Sequence, residues 1–163
     1  MGQRLHRLIG LGAIAGAAAC LVTACAAGPK DGSSVPFEPV LSGSHSGVYK
    51  QYFTLIRDSE TFTAVWRRAT ARQYPSPAPP PIDFSRYMVI AVFLGEKRTG
   101  GYDITVADLT RTPAGLVATV RERHPGMGCH TTEALTQPFE IVKTPISAAP
   151  VEFETQVVSE PCD

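Results

Sequence analysis

Eight consecutive apolar residues, Tyr87-Met-Val-Ile-Ala-Val-Phe-Leu94, constrain the fold of this chain more than any other feature. A run without polar alternation is the pattern of a central strand buried on both faces. Shorter β patterns follow it. Tyr102, Ile104 and Val106 alternate with polar residues, and Leu116 to Glu122, Phe139 to Lys143 and Val151 to Val158 read as further strands. Upstream, Val48 to Ile56 is rich in aromatic and β-branched residues and reads as a first strand. Asp58 or Ser59 then caps a helix reaching to about residue 71. Phe62, Val65, Trp66 and Ala69 fall on one apolar face of it, with Trp66 as a core anchor. Pro75 to Pro81 cannot continue that helix and reads as a stiff extended connector. These patterns predict an α+β fold, an antiparallel sheet or small sandwich with one packed helix.

The N-terminus carries a different kind of signal. Arg4 and Arg7 precede the apolar stretch Leu8 to Val22, and Val22-Thr23-Ala24-Cys25 ends it as a lipobox. Small residues before a cysteine suit cleavage coupled to acylation, which predicts a signal peptide over 1–24 and a lipidated Cys25. A flexible tether over 25–44, mixed in Ala, Gly, Pro and Ser, and one domain over 45–163 complete the expected organisation. The destination is a bacterial cell envelope, with the lipid as the membrane attachment and the domain facing periplasm or cell surface.

The 15 basic and 15 acidic residues of the whole chain become 13 and 15 once residues 1–24, with two basic and no acidic residues, are removed. A balance of −2 gives no electrostatic footprint for nucleic acid. Cys129 and Cys162 remain after the lipidated cysteine, and in an exported protein such a pair is expected to close a disulfide.

Two glycine-rich connections, Gly95 to Gly101 and Arg123 to Pro138, hold the candidate binding residues. If the strands over 87–94, 102–107, 116–122 and 139–143 are sequential neighbours in a meander, both connections emerge at one rim. The expected binding set is Arg98, Thr99, Gly100, Gly101 and Tyr102 with Pro125, Gly126, Met127 and Gly128. Tyr102 has a second reading, as a ring turned inward to pack. Catalytic arrangements are not evident. Gly95 to Gly101 is not followed by the lysine and hydroxyl residue that complete a phosphate-binding loop, and the carboxylates are scattered. His124, Cys129, His130 and Glu133 match no common zinc spacing, so no metal or cofactor and no enzymatic activity are expected.

A family resemblance is carried by Asp83-Phe84-Ser85, Phe93-Leu94-Gly95-Glu96-Lys97, Thr99-Gly100-Gly101-Tyr102, Pro125-Gly126-Met127-Gly128 and Leu135-Thr136-Gln137-Pro138-Phe139, with Trp66 on the preceding helix. Over about residues 45–145 the chain resembles the PrcB family of bacterial lipoproteins. The resemblance implies a non-enzymatic accessory subunit that stabilises or assembles an exported protease, or another envelope protein. Two further readings stay open. Thr99-Gly100-Gly101-Tyr102 is similar to a loop of chagasin-type protease inhibitors, whose Arg-Pro-Trp element is missing here, and a purely structural envelope lipoprotein needs no such loop.

Overall fold

The computed structural model describes residues 32–161; the signal segment, Cys25 and Cys162 lie outside them. Seven strands and one helix follow in the order β1 (Glu38–Gly43), β2 (Tyr52–Ile56), α1 (Ser59–Ala69), β3 (Tyr87–Phe93), β4 (Asp103–Thr112), β5 (Gly115–Pro125), β6 (Phe139–Pro145) and β7 (Val151–Glu160). They form two sheets, ordered β1-β6-β3-β2 and β4-β5-β7. The fold is α+β, a small sandwich with α1 packed on its four-stranded sheet.

The alternation of β3 explains both layers. Met88, Ile90 and Val92 point between the sheets, where they meet Ile104, Val106 and Leu109 of β4 and Leu116, Ala118 and Val120 of β5. Val89, Ala91 and Phe93 point the other way, against Phe62, Val65, Trp66 and Ala69 of α1. Every position of the strand therefore finds apolar surroundings, which is why the run lacks polar residues. Asp58 caps α1, its side chain accepting the Thr61 N–H at 2.8 Å. The Trp66 indole N–H donates to the Pro77 carbonyl at 2.8 Å and ties the proline-rich connector to the helix.

Four expectations are corrected. The meander is absent: β3 and β4 are consecutive in sequence but belong to different sheets, because each must present one apolar row to the other across the core. The tether over 25–44 gives way to structure in its described part. Val35 is buried and its N–H donates to the Leu109 carbonyl at 2.6 Å, while Glu38–Gly43 pair with β6. Pro39 is tolerated there because β1 is an edge strand, and Phe37, Val40 and Leu41 pack against the two cores. Finally, β7 pairs with β5 in parallel, from Leu116↔Val151 to Pro125↔Glu160. The intervening β6 lies in the other sheet, so the chain crosses over and returns in the direction of β5. The β2 strand is also shorter than expected, since Val48 packs as a buried loop residue ahead of it.

Candidate functional site

The two glycine-rich connections do meet at one end of the sandwich, by a route other than the meander. The hairpin pairing of β4 with β5 places Asp103 opposite Arg123, so the segment entering β4 lies beside the segment leaving β5. One strand spacing of about 4.8 Å separates them, not the two spacings of a meander. The connection over 95–101 is also laced to the segment before β6. Lys97 and Thr136 exchange both backbone hydrogen bonds, at 2.8 and 3.0 Å, and the Gly100 N–H donates to the Thr132 carbonyl at 3.0 Å. The Thr136 hydroxyl donates to the Thr99 carbonyl at 2.9 Å.

Gly101 has φ +85°, and a β-carbon there would lie 3.1 Å from Pro125 Cβ and 3.2 Å from Thr131 Cγ2. Only glycine turns the chain into β4 this close to the end of β5. Tyr102 takes the inward reading. It is half-buried against the inter-sheet core, its ring meets that of His124 edge-on at 5.2 Å, and the Lys97 ammonium lies 5.4 Å from its centroid. Arg98 is exposed, Thr99 and Gly100 are half-buried, and Gly101 is exposed.

On the facing side, Pro125 ends β5 opposite Glu160, and the Gly126 N–H donates to the Glu160 carbonyl at 2.8 Å. Gly126 to Cys129 close a turn through the Cys129 N–H and Gly126 carbonyl at 3.3 Å, with Gly128 at φ +85°. Met127, at the apex, is fully exposed. Leu135, on the segment laced to Lys97, is 53% exposed. Between the two sides lies an open hollow of about 330 Å³ reached by Gly101, His124, Pro125, His130 and Thr131. The Arg123 guanidinium spans its edge, 3.8 Å from Asp103 and 3.2 Å from Glu160.

Beneath the rim the sandwich interior turns polar. The buried Glu122 carboxylate accepts from the Gln51 side-chain amide and lies 3.5 Å from His124 Nε2. Gln137, fully buried, donates to Glu96 at 2.8 Å. The period-two row Leu116, Ala118, Val120, continued by two steps, lands on Glu122 and His124 and is the sequence signal for them. Nothing comparable marks Gln51 or Gln137, which are brought in by other elements. Farther down, the insertion of Ala107 as a bulge leaves the Val106 N–H to donate to Glu140 Oε2 at 2.7 Å. Burial raises the Glu140 carboxyl above the usual carboxylate range, against the opposing effect of that hydrogen bond and with a small addition from Asp103. Among the described residues, no three His, Cys, Asp or Glu side chains are placed to share a metal ion.

A comparison with known families finds a likeness in the stretch that runs from within β3 to the end of β6. Residues 88–145 match the PrcB C-terminal family. The matched stretch begins inside β3 and ends with β6, and β1, β2, α1 and β7 lie outside it. All nine expected binding residues fall within it. No curated protein and no solved structure matches the chain.

Proposed function

We propose that this chain is a lipid-anchored, non-enzymatic subunit that docks onto an exported protease complex through the rim. Its PrcB C-terminal segment supports the association with a protease complex. The observation that carries the docking surface is Met127. A fully exposed methionine stands at the apex of a turn whose base is hydrogen-bonded to Glu160 and packed beside Gly101. An apolar side chain held out on a rigid support is the geometry of an anchor residue, and methionine adapts to the pocket it enters. Arg98 and Leu135, on the facing connection and the segment laced to it, add exposed charged and apolar surface. Tyr102, which packs inward, serves as a support for the loop.

Pull-down of the protease from a detergent extract, using the full lipoprotein, tests this reading. Substituting Met127→Ser, or Arg98→Ala, is expected to weaken capture while leaving stability within about 0.5 kcal/mol, the usual range for exposed positions. Undiminished capture, or unfolding of the variants, would remove the rim as the interface.

Anchoring rests on Cys25, which Cys25→Ser should convert to an unprocessed or soluble form. Cys129 is proposed to pair with Cys162. The pairing of Pro125 with Glu160 carries the chain end to the turn, and Cys129 Sγ lies 4.0 Å from the Glu160 carbonyl. A 34-residue loop (129 to 162 inclusive) closed this way contributes about 3–4 kcal/mol in the chain-entropy account. Thiol titration of the unfolded, unreduced mature protein is expected to find neither thiol, and two titratable thiols would refute the pairing.

A further inference from the structure

A second surface, beside the start of the 95–101 connection but made of other residues, is built from two arginines and two tyrosines. Arg68 lies in the last turn of α1 and Arg72 just beyond it. The Arg68 guanidinium carbon sits 5.3 Å from the Tyr52 ring centroid, and that of Arg72 sits 5.7 Å from the Tyr49 centroid. Arg72 also donates to the Tyr49 hydroxyl at 3.1 Å. Both rings remain open to solvent, Tyr49 at 57% and Tyr52 at 37%. A hollow of about 500 Å³ runs between the 47–52 segment and Arg68, and a second of about 610 Å³ shares Gly47 and Tyr49 and reaches Arg72.

Charge and geometry together define what fits. Among the described residues, no carboxylate forms an ion pair with Lys50, Arg67, Arg68 or Arg72. Glu96, whose N–H donates to the Tyr49 carbonyl, turns its carboxylate to Gln137. The C-terminal dipole of α1 accounts for a cation at this place, but not for tyrosine rings beneath two of them. Guanidinium groups steadied on aromatic rings keep most of their five donors for a carboxylate, Arg72 giving one to the Tyr49 hydroxyl. Tyrosine and arginine are also the residue types that dominate binding energy in protein interfaces.

We infer that this hollow binds an acidic peptide segment of a protein partner. The inference rests on the protein-binding reading above and adds to it a surface whose binding residues are not those of the rim. The concave shape and the stacked arginines suit a peptide strand with carboxylate side chains. An anionic membrane would instead be met by projecting lysines on a convex face.

Fluorescence anisotropy with the detergent-solubilised full chain tests it, using a fluorescein-labelled Asp/Glu octapeptide and its Asn/Gln counterpart. The acidic peptide should bind about tenfold or more tightly than the amide peptide, and more weakly as salt rises. Arg68→Gln with Arg72→Gln should abolish that preference. The double lysine variant, R68K with R72K, should lose several-fold in affinity at unchanged charge, because lysine lacks the fork. In the wild-type chain the acidic peptide should protect both arginines from phenylglyoxal, a readout independent of whether the variants fold. Equal affinity for the two peptides, full affinity in the lysine variant, or a preference for phosphatidylglycerol vesicles over the peptide would each overturn the inference. The titration needs no protease, so its failure would leave rim docking standing, and Met127→Ser and Arg98→Ala variants should bind the peptide normally.

Discussion

Gly101 and Glu140 show how single residues set the rim and the sheet beneath it. At Gly101 the cost of a side chain has two parts, a left-handed backbone and contact with Pro125 and Thr131. Gly128 has the same φ of +85° but open space around it. Gly101→Ala should therefore destabilise by about 1–2 kcal/mol or more, and Gly128→Ala by less, as read by urea unfolding. Glu140 carries a different liability. Its carboxyl is held above the usual range by burial, so its contribution to stability is full below the unfolded-state value and is lost as pH rises through the folded one. Glu140→Gln keeps an acceptor for the Val106 N–H and removes the half-buried charge. It should raise the melting temperature at neutral pH, with the gain vanishing at pH values below the ordinary carboxylate range. Glu140→Ala, which strands the Val106 N–H, should cost about 1–3 kcal/mol. The Thr-Gly-Gly-Tyr sequence makes the turn at Gly101 readable. Glu140 is not readable in this way, because its partner exists only through a bulge at Ala107 in another sheet.

At the scale of elements, α1 and β3 are the most legible. The cap at Asp58, the apolar spacing from Phe62 to Ala69 and the unbroken run of β3 each depend on neighbours within one segment. Trp66 joins α1 to two other parts of the molecule, its ring to the sheet-facing core and its indole N–H to Pro77. Trp66→Ala should cost about 3–5 kcal/mol. Trp66→Phe, which retains much of the packing and loses that hydrogen bond, should cost distinctly less; chemical denaturation of the two variants compares them. The β1 strand is the least legible element. Its Glu-Pro-Val-Leu-Ser-Gly sequence has the composition of a spacer, and it becomes a strand because β6 offers an unpaired edge. Short edge strands owe their state to the partner more than to propensity.

For the whole molecule, the corrected N-terminal boundary has a direct consequence. A chain beginning at residue 45 would lack β1 and the contacts of Val35, leaving β6 as an open edge. It should aggregate or melt well below a chain beginning at residue 32. Stable folding from residue 45 would show that β1 is dispensable. The rim depends on the same global arrangement, since its sides come from β4, β5, β7 and the segment before β6.

By itself the sequence determined the local periodicities: a doubly buried strand, a one-faced helix, the alternating strands and the glycine turns. It also carried the family resemblance, whose match falls on residues 88–145. Those features are encoded within a few residues, where side-chain alternation and capping act. Tertiary structure alone decided which strands share a sheet, that β7 runs parallel to β5, and that Tyr102 faces inward. It also decided that Tyr49, Tyr52, Arg68 and Arg72 converge. Sheet membership is settled by which apolar rows bury each other across the core, a competition among segments far apart in the chain.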